Sequence, residues 1–278
     1  MTWWQTLPYR IDPYLIQVNG FGLRYYSLMY VAAFVSVYFL VRYRITREQH
    51  PYDMEMIQDF FVWAAVGVLV GGRLGYVLFY NPSYYAAHPL EIFLPFEFSN
   101  GVRFTGITGM SFHGGLIGVA AAFAGFCRKR RINIWQFSDV IVPAVPLGYF
   151  FGRLGNFFNG ELFGTPTALP WGMFFPTDPD HLLRHPSQLY EAFFEGIVLF
   201  ICLWYIRNRP WARHKIFSLF LVGYGALRFC IEFVRQPDAH LNHVLPGMSM
   251  GQVLCGLMVL AGICIALLNA RSAGPDAP

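Results

Sequence analysis

The fold is decided by residues 216–234, which read IFSLFLVGYGALRFCIEFV. A membrane-spanning helix needs about 20 mostly apolar residues, and the charged residues in this run are Arg228 and Glu232. Further stretches qualify as spans at residues 23–41, 57–80, 107–127, 137–151, 188–206 and 250–268. The stretch 137–151 is short and contains Pro143 and Pro146, so we expect it to kink or to be partly re-entrant.

The overall composition supports lipid as the main solvent of the protein. Of 278 residues, 55% are hydrophobic and 13% are charged, whereas soluble domains carry about 25% charged residues. Aromatic residues make up 18% of the chain, and Tyr and Trp favour the interfaces between membrane and water. The five cysteines include no C-x-x-C pair, so we expect buried packing residues rather than disulfides or metal ligands.

Basic residues mark alternate loops and so indicate a topology. More than half of the 20 Lys and Arg residues follow the first, third, fifth and seventh predicted spans, and the positive-inside rule places those loops in the cytoplasm. We therefore predict an all-α integral membrane protein with seven transmembrane helices, the N-terminus outside and the C-terminus in the cytoplasm. Residues 1–278 form a single polytopic membrane domain in this interpretation, with outward-facing loops at about 81–106, 153–187 and 235–249.

Three arginines belong to predicted membrane helices or their outer ends, where a charge is costly and marks function. They are Arg73, Arg153 and Arg228. Arg228 lies about 18 Å along its helix, just past the middle of a roughly 30 Å hydrocarbon core on the outward side. Because a guanidinium matches a phosphate with two parallel hydrogen bonds, we predict that Arg153 and Arg228 bind an anionic lipid headgroup.

A competing interpretation pairs the arginines with acidic side chains. Glu232 follows Arg228 by four residues, on the same helix face. Further acidic candidates are Glu161, Glu191 and Glu195. For Arg73 a structural ion pair is the favoured interpretation, and for Arg235 both interpretations stay open.

The densest polar segment covers residues 152–164, GRLGNFFNGELFG. Its glycines allow backbone N–H groups to come close to a ligand. Arg153 provides charge, while Asn156, Asn159 and Glu161 provide directional hydrogen bonds. The alternative is a loop that is merely tied to its neighbours by these amides.

A second polar segment, residues 110–116 or MSFHGGL, places His113 at the outer start of the third predicted span. An imidazole titrates near neutral pH and can take a proton from a thiol. On the residues alone, a capping or packing histidine is the better interpretation.

A polar stripe marks the sixth predicted span. Tyr224, Arg228, Glu232 and Arg235 recur every three or four residues, which places them on one helix face. Such a face must contact protein or a wet cavity rather than lipid.

Several other patterns are set aside. Residues 247–251, GMSMG, match G-x-S-x-G but lack the preceding strand and the following Asp and His. His181 and His185 are four apart without an H-E-x-x-H motif, so we expect no metal site and no cofactor. The basic run 128–131 is interpreted as a topology signal rather than a nucleic-acid patch. The first twenty residues lack the pattern of a cleavable signal peptide, so none is expected.

Taken together, these segments closely resemble the prolipoprotein diacylglyceryl transferase family. The resemblance extends over nearly the whole chain and rests on six segments in order. They are YYSLMY at 25–30, GGRLGY at 71–76, SFHGGL at 111–116, the segment 152–164, HPSQLYE at 185–191 and GYGALRFCIEFVRQPD at 223–238.

The resemblance implies an enzyme of the bacterial inner membrane, a transferase with its active site toward the periplasmic face. It would move the diacylglyceryl group of phosphatidylglycerol to the lipobox cysteine of a prolipoprotein and release glycerol phosphate. By the same resemblance, Arg153 and Arg228 hold the phosphate and His113 is the base. Further residues that match positions important to the family's site are Tyr26, Asn156, Glu161, Gly164, Tyr224, Glu232 and Arg235.

Two functions of other classes fit the residues without the resemblance. A transporter or channel for an anionic solute would also use arginines within a helix bundle. A lipid-binding protein without catalysis would use the arginines but would not need His113. Polar residues that gather toward the outer face, with no inverted repeat, argue against transport.

Overall fold

The computed structural model describes residues 2–18, 21–94, 96–97, 103–104, 109–236 and 248–272. The predicted outward loops 81–106 and 235–249 therefore lie partly outside the described residues. The chain forms two compact units, one made of Met1–Arg47 with Ser138–Pro278 and the other of Glu48–Phe137.

The larger unit is built from helices that pack in pairs. It contains α1 (Leu7–Arg10), strands β1 (Tyr14–Val18) and β2 (Phe21–Arg24), α2 (Tyr25–Arg47), and the second half of α6 (Ile134–Ile141). It continues with a 3-10 turn (Val142–Ala144), α7 (Val145–Phe158), α8 (Ser187–Glu191), a π-helical segment (Ala192–Val198) and α9 (Leu199–Ile206). A second 3-10 turn (Pro210–Ala212), α10 (Ile216–Ile231) and α11 (Met250–Ser272) complete it. Helix α2 packs against α7, and α10 packs against α11.

The smaller unit is dominated by two long helices in close contact. It contains α3 (Met54–Phe79), α4 (Pro82–Ala87), a 3-10 turn (Pro89–Ile92), β3 (Phe96–Glu97), β4 (Arg103–Phe104) and α5 (Phe112–Arg130). A Cβ atom added to Gly75 would lie 2.7 Å from Gly114 Cα, and one added to Gly71 would collide with the Gly114 carbonyl. Gly67 meets Gly118 in the same way. Small residues spaced four apart, such as Gly67, Gly71 and Gly75, allow the two helices to approach this closely.

Apolar residues cover the outer surfaces of the helices. Leu78 is 64% exposed and Leu260 is 60% exposed, although each lies in a long apolar helix. Large apolar faces left in contact with solvent are unfavourable in water, so a lipid environment explains them. The sequence-based prediction of five buried cysteines is wrong for Cys202, Cys230 and Cys264, which are exposed, because packing covers only part of each helix's circumference.

Five helices of the described residues are long and apolar enough to cross a bilayer, which indicates a multi-pass membrane protein. They cover Tyr25–Arg47, Met54–Phe79, Ile134–Phe158, Ser187–Ile206 and Met250–Ala270. The sixth predicted span is a shorter apolar helix, Ile216–Ile231. The third is α5, where Ser111 caps the helix by accepting a hydrogen bond from Gly114 N at 3.2 Å.

Two details of the predicted fold are corrected. The span predicted at 137–151 extends over 25 residues, Ile134–Phe158, and the expected break at its prolines is the 3-10 turn. The all-α prediction omitted two antiparallel hairpins, β1–β2 and β3–β4. These short hairpins lie between helices, where residues such as Ile16 and Gln17 carry no helical period.

Candidate functional site

The site is organised around Arg153 on α7. Its Nε atom donates to the Tyr149 hydroxyl at 2.7 Å and lies 2.7 Å from Glu191 Oε2, and its Nη1 atom donates to Asn156 Oδ1 at 3.2 Å. Tyr149, Arg153 and Asn156 are four and three residues apart, so one face of α7 presents all three side chains. The polar site is built on this face of α7.

Glu191 is the residue that joins the arginines. It ends α8 and is fully buried. Its Oε2 atom contacts Arg153, and its Oε1 atom lies 2.9 Å from Arg228 Nη1 and 3.7 Å from Arg235 Nε. Three guanidinium groups from distant parts of the chain therefore converge on one carboxylate.

Glu232 forms a second acidic contact for the same arginines. Its Oε2 atom lies 3.0 Å from Arg228 Nη2 and 3.9 Å from Arg235 Nη1. Its Oε1 atom accepts from the Ser249 hydroxyl at 3.1 Å. Ser249 also accepts from Gln252 N at 3.1 Å, so this serine caps the start of α11 and orients Glu232. The dismissed G-x-S-x-G match therefore has a structural role.

Residues of the glycine-rich segment complete the polar network. Asn156 Nδ2 donates to Glu161 Oε1 at 2.8 Å, and Asn159 Nδ2 lies at 3.5 Å from the same oxygen. Gly164 forms an antiparallel bridge with Arg235, and a Cβ atom there would collide with the Val234 carbonyl. Glycine at 164 thus allows the chain to pass directly beside Arg235.

The two predicted tyrosines lie at the edge of this network. The Tyr224 hydroxyl is 3.4 Å from that of Tyr149. The Tyr26 hydroxyl is 3.0 Å from that of Tyr30 on α2, and the Tyr26 ring lies next to Gly155 on α7. The contact with Tyr149 joins Tyr224 to the arginine cluster, whereas Tyr26 reaches α7 through packing.

Three residues of the cluster had no predicted site role: Tyr149, Glu191 and Glu195. Tyr149 donates to Glu195 Oε2 at 2.5 Å while it accepts from Arg153. Glu195 is fully buried within the π-helical segment. Its charge inside a predicted span was a signal, and sequence analysis named it only as a possible arginine partner. Tyr149 lies one helical turn before Arg153, which was the available signal for that residue.

His113 and Arg73 belong to the smaller unit. His113 is the second residue of α5, and its side chain is exposed. Arg73 Nε donates to Ile92 O at 2.8 Å and Nη2 to Glu91 O at 2.5 Å, with the guanidinium 4.9 Å from the Tyr85 ring centre. These contacts tie Arg73 to the chain around Pro89–Ile92, which is a structural role.

The segment before α8 is held by a buried ion pair. Arg184 donates to both oxygens of Asp178 at 2.8 Å, and its backbone bridges Met173. Burial raises the pKa of Asp178, but hydrogen bonds from Arg184 and from the Leu182 backbone outweigh this effect and hold the pKa below its usual value. Burial lowers the pKa of His185. This segment leads directly into the helix that carries Glu191.

The buried charges are close to balance. Arg153, Arg228 and Arg235 face the carboxyl groups of Glu191, Glu195 and Glu232. Arg228 Nη1 and Glu191 Oε1 lie 2.9 Å apart, yet neither makes a hydrogen bond with any described residue. Buried polar groups are nearly always hydrogen-bonded, so Arg228 Nη1 is suited to donate to a charged oxygen of a ligand.

Comparison with known proteins gives a consistent result. The family model for prolipoprotein diacylglyceryl transferase matches residues 13–268. A phosphatidylglycerol–prolipoprotein diacylglyceryl transferase of Chlorobaculum tepidum is 51% identical over 274 residues, or 98% of this chain and 94% of the relative. Enzymes of the same name from Bordetella parapertussis and Campylobacter lari are 48% and 39% identical, and each covers at least 94% of this chain.

Proposed function

The chain belongs to the prolipoprotein diacylglyceryl transferase family, and from this membership we propose that it transfers a diacylglyceryl group from phosphatidylglycerol to a prolipoprotein. Both substrates are named in the titles of its relatives. The acceptor in this proposal is the thiol of the lipobox cysteine in the prolipoprotein signal peptide. The chain is a transferase, and the transport and lipid-binding alternatives gain no support from its family.

The proposed reaction is a displacement at carbon. The thiol sulfur attacks the glyceryl carbon that bears the phosphate, so an S–C bond forms as the C–O bond breaks. The electron pair of the broken bond stays on the phosphate oxygen, and glycerol phosphate leaves. The thiol proton passes to a base, for which we propose His113, because the thiolate is the reactive nucleophile.

The observation that carries the proposal is the convergence of Arg153 and Arg228 on opposite oxygens of Glu191. A site that holds a carboxylate between two guanidinium groups is also suited to a phosphate, which offers similar charged oxygens. Fixed cations in a water-poor cavity stabilise the charge that develops on the leaving phosphate. The two arginines are therefore proposed as the phosphate-binding and catalytic groups.

The other site residues receive supporting roles in the proposal. Glu161 and Glu232 orient their neighbours through the contacts of Asn156 and Arg228. The same site is shaped by five further residues: Tyr26, Asn159, Gly164, Tyr224 and Arg235.

The proposed setting is the inner membrane, with seven spans and the active site toward the periplasm. The N-terminus would be periplasmic and the C-terminus cytoplasmic. The alternating basic loops support this orientation.

The test uses purified protein in phosphatidylglycerol-containing detergent micelles with a peptide that carries a lipobox cysteine. We expect the peptide to gain the mass of one diacylglyceryl group. The matched control is the same peptide with serine in place of cysteine, which should not react. Equal modification of both peptides, or none of either with folded protein, would contradict the proposal.

A further inference from the structure

We propose that Glu191 is a positioning residue that sets the spacing of Arg153 and Arg228 and speeds the release of glycerol phosphate by reclaiming both arginines. This inference rests on the proposed function. It gives a role to a carboxyl group that lies at the centre of the site and takes no part in bond formation.

The geometry shows why Glu191 sets the arginine spacing. Arg153 comes from α7 and Arg228 from α10, and each lies within 3 Å of a different Glu191 oxygen, at 2.7 Å and 2.9 Å. Glu191 is fully buried, so water does not compete with the two guanidinium groups for its oxygens. The Tyr149 hydroxyl, which donates to Glu195 Oε2, also lies 3.2 Å from Glu191 Oε2.

The local backbone supports the same role. Glu191 is the last residue of α8, and the chain then widens into the π-helical segment Ala192–Val198. Wider turns of this kind are frequent at functional sites. A Cβ atom on Gly196 would lie 2.7 Å from Phe150 Cβ, so the π-helical segment packs directly against α7, the helix that presents Arg153.

The charge of the product explains why a counter-charge is needed. Phosphatidylglycerol is a phosphodiester with one negative charge, whereas glycerol phosphate is a monoester with about −1.5 to −2 at pH 7. Buried arginines alone would therefore hold the product more tightly than the substrate. Glu191 repels the product dianion and offers both arginines an internal partner as the product departs.

The test compares wild type with Glu191→Gln, which keeps the shape and removes the charge. We expect glycerol phosphate to inhibit the variant at least about tenfold more strongly, because a like-charge repulsion has been removed. The turnover number should fall by a similar factor, while the KM for phosphatidylglycerol stays level or falls. If the role of Glu191 were purely structural, Glu191→Gln would instead lower the melting temperature without changing product inhibition.

Two further variants keep the test decisive. Glu191→Asp retains the charge but shortens the reach, so we expect near-wild-type product inhibition with a reduced turnover number; this variant carries the test if Glu191→Gln does not fold. The matched control is Glu91→Gln, a buried carboxyl in the smaller unit that accepts from Tyr84 at 2.6 Å, and it should leave product inhibition unchanged.

The outcomes separate this inference from the proposed function. If wild type forms no thioether, the proposed function fails. If wild type is active but Glu191→Gln matches its turnover and its inhibition by glycerol phosphate, the role of Glu191 is refuted while the transferase stands.

Discussion

Replacing Arg153 with alanine tests the phosphate site most sharply among single substitutions. The change removes the guanidinium that contacts Glu191 and Asn156. By comparison with other fixed donors that stabilise developing negative charge, one such group is worth about 3 kcal/mol of barrier, or roughly 100-fold in rate. Arg153→Lys keeps the charge but loses the planar fork, so we expect a smaller loss.

Folding has to be measured alongside activity, because the deleted side chain is part of a buried ion pair. Breaking such a pair costs about 3–5 kcal/mol when a charge is left alone, but Glu191 would keep Arg228 as a partner. We therefore expect Arg153→Ala to fold with a lowered melting temperature. The assay follows peptide mass and glycerol phosphate release. A folded variant that transfers at a rate close to wild type would refute the phosphate role.

Three further predictions use other parts of the molecule. His113→Gln should lose most transfer and flatten the rise of rate with pH, and an unchanged pH–rate profile would remove histidine as the base. Gly114→Ala should destabilise the smaller unit by about 1–3 kcal/mol through overpacking, because the new methyl group would collide with the Gly71 carbonyl. Gly115→Ala is the control, because its new methyl group would lie 3.6 Å from the nearest atom, Val68 O. Thermal unfolding should show a loss of stability for the first variant and none for the second. Burial lowers the pKa of His185, so the stability that neutral His185 contributes is complete above about pH 6.5, the unfolded value, and is lost as pH falls. The melting temperature of His185→Gln should therefore drop less steeply than that of wild type below about pH 6.5. An equal drop would refute the lowered pKa of His185.

Local spacing predicted the contacts within single helices. Arg228 and Glu232, four residues apart, form the ion pair of the competing interpretation at 3.0 Å. The glycines at 67, 71 and 75, which are spaced four apart, form the close helix contact with α5. Both results follow from the 3.6-residue period of the helix, which fixes neighbours without knowledge of the rest of the fold.

Contacts between distant segments were beyond the sequence. Glu191 and Arg153 are 38 residues apart, and nothing in either local pattern shows that α8 ends beside α7. From the sequence alone, phosphate binding and pairing with acidic side chains were competing interpretations for the arginines. In the structure the acid pairing is present, and the geometry of that pairing is what suits the arginines to a phosphate. If the proposed function holds, the two interpretations describe different states of one site.

The most direct test of the central claim is the stoichiometry of a single turnover. Wild-type protein would be loaded with headgroup-labelled phosphatidylglycerol and mixed with the cysteine peptide, and the lipidated peptide and free glycerol phosphate would be counted together. The account predicts one glycerol phosphate released for each diacylglyceryl thioether formed, with both products forming roughly 100-fold more slowly in Arg153→Ala and Arg228→Ala. Lipid that stays bound and intact on folded wild-type protein, with no peptide modified, would contradict it.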